Sequence, residues 1–202
     1  MKLEAPKNLV TDLIETALNN VTNNSFLNDV PIISTITNIY KSGQSISDHL
    51  LTKKILTFLN ALQETSHESQ IRIVNKIEND EKFRDRLGLQ LLEILNRNDD
   101  HEKPKLIAKL FKAYIIGEID IDLFYKFSQI INNAYYADLI KLSKMPSGIT
   151  EAYEVNSLLA LGLIELKSKH LGNTEILGGI GKGNKIEYVL NKYGQELAIL
   201  IR

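Results

Sequence analysis

The amino-acid sequence predicts a mainly α protein, a helical bundle over residues 1–145 followed by a small α/β module over residues 146–202 that contains a β-hairpin. Three observations lead there. Up to about Lys144 the apolar residues recur every three or four positions, which lines them up on one side of a helix. Met145-Pro146-Ser147-Gly148 then stops the pattern, because proline pushes the residue before it out of the α region and glycine frees the backbone after it. Beyond that point two segments alternate with period two, which is the spacing of a strand.

Taken in order, Leu9, Leu13, Ile14, Ala17, Leu18 and Val21 form the stripe of a first amphipathic helix. Pro31 suits the start of a second over Val30 to Tyr40, since its missing N–H is not needed there. That segment is shorter than the roughly 20 apolar residues of a membrane span and is read as a buried helix. Leu51, Ile55, Phe58, Leu59 and Leu62 mark the next helix. Thr65-Ser66-His67-Glu68 has the form of a capping box, opening a helix that carries Ile71, Val74 and Ile77.

Asn79-Asp80 caps a helix with Phe83, Leu87, Leu91, Ile94 and Leu95 inward and Arg84, Asp85, Arg86 and Arg97 outward. Another runs from about Glu102 to Ile116, with Pro104 in its opening turn and Gly117 ending it. Asp120 opens the next, which carries Leu123, Phe124, Phe127, Ile130, Ile131 and Ala134 and bends near Asn132-Asn133. The module over 146–202 can share the helix over 134–145. Within it, Thr150 to Leu161 reads as a short helix, Leu163 to Leu171 and Lys185 to Leu190 as strands, and Gly194 to Ile201 as a closing helix.

Composition bounds the class. Hydrophobic residues at 44% and charged residues at 24% are those of an ordinary globular chain, against disorder and a membrane-spanning class. Without cysteine there is no disulfide, thiolate metal site or cysteine nucleophile, and a reducing cytoplasm is the expected location. The first residues lack the apolar core of a signal peptide. Abundant Asn, Ile and Lys look like the product of an AT-rich bacterial genome. Residues 1–145 hold 18 basic and 19 acidic side chains and the remainder 6 of each, so neither part is basic enough to suggest a dedicated duplex binder.

Leu158-Leu159-Ala160-Leu161-Gly162-Leu163-Ile164, followed later by Tyr188-Val189-Leu190-Asn191-Lys192-Tyr193-Gly194-Gln195-Glu196-Leu197, resembles the helix-end and wing-strand signature of winged-helix domains such as MarR-like and PadR-like regulators. The resemblance covers about residues 134 to 202. It implies that Gly162 closes a helix, that Leu163 and Ile164 begin the hairpin, and that the Tyr-x-Leu strand returns into a final helix. It also implies a recognition helix bearing Thr150, Glu151, Tyr153, Glu154, Asn156 and Ser157. That helix carries no basic residue, and its two carboxylates would repel a phosphate backbone, so DNA is disfavoured as a partner.

Other clusters have plainer explanations. The glycine-rich run Gly172 to Asn184 lacks the order of a phosphate loop and lies between two strands, so a mobile wing tip is expected. Asp99-Asp100-His101-Glu102 and Glu118-Ile119-Asp120-Ile121-Asp122 lack the order of a calcium loop and read as helix starts. The four histidines stand outside metal-ligand spacing, and no nucleophile elbow is present. Phe111, Tyr114, Phe124, Phe127, Tyr135 and Tyr136 fall at helical spacing and read as core. No catalytic residue, cofactor or metal is therefore expected.

The function expected from these observations is that of a non-enzymatic protein-interaction or regulatory protein, whose partner is another protein or a second copy. The contact residues are Tyr153, Asn156 and Ser157 on the short helix and Lys167, Lys169, Lys182 and Lys185 on the wing. The alternative is a winged-helix DNA-binding transcriptional regulator, with the wing lysines on phosphates and Asn156 or Ser157 at a base edge.

Overall fold

The computed structural model describes residues 30–33, 35, 49–64, 66–78, 81–145, 149–150, 156–170, 174–176, 179–181 and 184–202. The helix expected over Leu9 to Val21, the cap at Asn79-Asp80, Tyr153 and Lys182 lie outside them. The chain is mainly helical and divides into two compact units, Met1–Asn132 and Asn133–Arg202. No helix among the described residues is long and apolar enough to cross a membrane.

The first unit contains α1 (His49–Gln63), α2 (His67–Glu78), α3 (Glu81–Arg97), α4 (Lys103–Ile116) and most of α5 (Ile121–Asn133). The expected stripe of α1 is buried at Leu51, Ile55, Phe58, Leu59 and Leu62. Helix α4 packs on α1 and α2, which explains why nearly all of its length is buried. Aromatic rings join the helices. Phe58 meets Phe111 edge-on at 5.8 Å, Phe111 meets Phe124 at 6.0 Å, and Tyr114 stacks on Phe124 at 5.8 Å, all separations at which ring quadrupoles attract.

Helix ends follow local chemistry. Gly117 adopts the left-handed conformation, φ 83°, that stops α4, and the Asp120 carboxylate accepts the Leu123 N–H at 2.8 Å to start α5. The cap of α2 is displaced by one residue from the expected box. Ser66 Oγ accepts the Ser69 N–H at 3.4 Å, because the first helical residue is His67, and Glu68 pairs with Arg72 at 2.8 Å; Thr65, the other end of the expected box, lies outside the described residues. Ile71, which α2 carries as expected, is 47% exposed. On α3, Leu87, Leu91 and Leu95 are buried, but Phe83, Ile94 and the supposedly outward Arg84 are half-buried.

Pro31, Ile32, Ile33 and Thr35 are helical, and Val30, Ile32 and Ile33 are buried. This segment touches α3 at Gly88, where an added Cβ would lie 2.2 Å from Thr35 Oγ1 and 2.5 Å from the Pro31 carbonyl oxygen. Only a residue without a side chain allows two backbones so close.

The second unit contains α6 (Tyr136–Lys144), β1 (Ile149–Thr150), α7 (Asn156–Ala160), β2 (Ile164–His170), β3 (Thr174–Ile176), β4 (Gly179–Gly181), β5 (Asn184–Leu190) and α8 (Lys192–Leu200). Strands β1, β5 and β2 form an antiparallel sheet in that order, with β5 in the centre. The expected hairpin is thus present. Two details differ from expectation. Thr150, placed at a helix start by the sequence, lies in β1 opposite Tyr188; the short helix is described over Asn156–Ala160, and residues 151–155 of the expected helix lie outside the described residues. The glycine-rich connection pairs β3 with β4, Thr174 opposite Gly181, Glu175 opposite Ile180 and Ile176 opposite Gly179, with the β-branched Thr174, Ile176 and Ile180 favouring strand.

The boundary between units lies upstream of Met145, because α6 belongs with the sheet. Leu139 and Leu142 of α6 are buried in the unit that holds Leu197 and Ala198 of α8, and the two helices pack together. Arg202 reinforces this by donating to the Ser143 and Met145 carbonyls at 2.7 and 3.2 Å, placing a cation at the negative end of α6.

Candidate interaction surface

The hairpin of the second unit is anchored at a corner made by Asn191. Its N–H donates to the Leu163 carbonyl at 3.1 Å, its carboxamide donates to the Gly162 carbonyl at 2.7 Å, and its side-chain oxygen accepts the Gly194 N–H at 3.0 Å. One side chain thus caps α8 and ties it to the start of β2. Gly162 turns the chain at φ 70°, and Gly194 lies so close to Leu163 that an added Cβ would be 2.1 Å from the Leu163 oxygen. Leu158, Leu163, Ile164, Leu190 and Leu197 are buried beneath this corner.

Outward from the corner the strands pair Leu166 with Tyr188, Lys167 with Glu187, Ser168 with Ile186, Lys169 with Lys185 and His170 with Asn184. Lys167 is therefore opposite an acid. Lys169 and Lys185, two of the predicted contact residues, are opposite each other in the strand register. Asn156 opens α7. Ser157 is committed elsewhere, since its hydroxyl donates to the Asp138 carboxylate of α6 at 2.6 Å and the residue is half-buried.

The sequence did not reveal the apolar part of this unit's surface. Tyr135, read as core, is 74% exposed because it precedes the first turn of α6, where its backbone is extended. Leu159, Leu166, Tyr193 and Ile199 are also exposed. Leu166 sits one alternation beyond buried Ile164, where the apolar face of β2 outruns the core. Period-two spacing identifies that face but not where the core beneath it ends.

The first unit holds a buried polar cluster. Lys103 is fully buried, pairs with Asp99 one turn before it, and donates to the Asn132 carbonyl at 3.1 Å. The hydrogen bond from Lys103, opposed by partial desolvation, holds the Asp99 carboxyl below its usual range. Asn98 donates to the Ile94 carbonyl at 2.8 Å and to the Asn132 carboxamide at 2.6 Å, and Asn132 donates back to Ile94 at 3.2 Å. Asp100 accepts the Glu102 N–H at 2.7 Å. These bonds lie at the ends of α3, α4 and α5; Glu102, the N-cap of α4, makes no side-chain capping bond, and no acid stands in the first turn of that helix, so the expected capping role of Asp99 to Glu102 is limited to Asp100 receiving the Glu102 N–H. Among the described residues no group of three His, Cys, Asp or Glu side chains is placed to hold a metal ion.

No protein-family model matches the chain, and neither curated proteins nor solved structures give a match.

Proposed function

We propose that the chain is a non-enzymatic protein-interaction or regulatory protein that engages its partner through the winged-helix-like unit over Asn133–Arg202. The observation that supports this is the distribution of exposed large apolar side chains. Five of the eight among the described residues, Tyr135, Leu159, Leu166, Tyr193 and Ile199, belong to this smaller unit. Apolar surface left in water is removed favourably by a protein partner, and a phosphate backbone offers nothing to cover it. The acidic Glu151 and Glu154, within five positions before Asn156 in sequence, support the same reading.

A second function, DNA binding by the wing, is supported by the register that sets Lys169 opposite Lys185, two basic positions that suit a phosphate. The test is DNA binding at two salt concentrations, by the parent and by a variant with Lys167, Lys169, Lys182 and Lys185 replaced by Ala. Weak binding, equal in parent and variant, supports protein interaction. Tight binding by the parent that falls steeply with salt and is lost in the variant overturns it in favour of DNA.

A further inference from the structure

We propose that the outer edge of β2 is a self-recognition surface, on which a second copy of this chain lays its own β2 antiparallel about Leu166. This names the partner for the interaction function above and rests on it.

The backbone supplies the first part of the argument. Among the described strands β2 is paired with β5 alone and forms one edge of the sheet. The bond from the Asn191 N–H to the Leu163 carbonyl fixes which residues of β2 point where. In an antiparallel pair, bonded and non-bonded positions alternate, so Leu163, Glu165, Lys167 and Lys169 direct their backbone groups toward β5. Ile164, Leu166, Ser168 and His170 direct theirs outward. An added strand meets a ladder of donors and acceptors centred on Leu166, whose side chain is 57% exposed.

Charge selects the occupant and the register. Centring two copies of β2 on Glu165 sets that carboxylate against itself, and centring them on Lys167 does the same with an ammonium. Centring on Ser168 sets Lys167 against Lys169 twice. Only centring on Leu166 among these four places Leu166 against its own copy and Glu165 against Lys167 on both sides of the axis. The same lysines oppose pairing with a strand that lacks a matching acid, the usual role of lysine on a sheet edge. A seven-residue strand covers less than a standard interface, so the dimer is expected to be weak and concentration-dependent.

The experiment is sedimentation equilibrium over a range of concentrations, with circular dichroism confirming that each variant is folded. The parent is expected to dimerise. Glu165→Lys and Lys167→Glu are each expected to weaken dimerisation by about tenfold or more, because two attractive pairs become repulsive. Glu165→Lys is the cleaner variant, since residue 165 is opposite the uncharged Val189, whereas Lys167→Glu sets an acid opposite Glu187. An equimolar mixture of the two variants is expected to recover association, each protomer supplying the charges its partner lacks. A parent that stays monomeric, or variants that dimerise as the parent does, overturns the proposal. Neither result touches the interaction function itself, which falls only to salt-sensitive, lysine-dependent DNA binding.

Discussion

Asn191 and Gly162 are joined by a 2.7 Å hydrogen bond from carboxamide to carbonyl, and the same carboxamide receives the Gly194 N–H at 3.0 Å. Because one side chain serves both a helix start and a strand start, the hairpin and α8 are held as a single piece. Asn191→Ala removes both bonds, and a loss of about 1–2 kcal/mol is expected in urea unfolding, at the upper end for a cap. Asn191→Asp keeps the acceptor and is expected to recover part of it.

Gly88 lies in the interior of α3, where glycine ordinarily weakens a helix by about 0.5–1 kcal/mol relative to alanine. The contact with Pro31 and Thr35 reverses the sign. Gly88→Ala is expected to destabilise the protein by about 1–3 kcal/mol, since backbone atoms stand where the methyl group would go. A midpoint that rises in thermal unfolding would contradict the close approach.

Asp99 and Lys103 form an unequal pair, one carboxylate largely in water and one ammonium fully buried. Removing the acid strands the cation, so Asp99→Ala is expected to cost about 1–3 kcal/mol, more than Lys103→Met, which removes the buried charge while filling the space. The folded carboxyl is held below its unfolded value, so its contribution is present above about pH 4 and is lost as acid protonates it. Asp99→Asn is expected to flatten the acid limb of the stability profile, modestly because solvent screens the exposed partner.

Ser157 was expected to face a partner, and its hydroxyl instead bonds Asp138 at 2.6 Å. Ser157→Ala is accordingly expected to lower stability by about 1 kcal/mol, read by denaturant unfolding, and to leave self-association unchanged.

What could be read in the sequence was whatever depends on near neighbours. The stripes of α1 and α4, the stop at Gly117, the start at Asp120 and the alternation of β2 and β5 are all set by residues within a few positions of each other. What escaped notice depends on distant partners. Thr150 has a helix-start sequence context, yet its strand identity comes from Tyr188, far along the chain. Lys103 looks like a surface lysine until Asn132, from another helix, supplies its carbonyl. Ser157 likewise found its acceptor on α6. The candidate contact residues were legible as charges on strands, while the exposure of Leu166 depended on how far the core reaches.

The central position of β5 sets an order of events during synthesis. Both of its neighbours precede it in the chain, so neither β1 nor β2 has a partner in that sheet until Asn184–Leu190 has left the ribosome. Until then β2 is a bare ribbon open on both sides, exposed to capture by chaperones or by other nascent chains. Protease protection of stalled ribosome complexes is expected to appear in this sheet abruptly as β5 emerges.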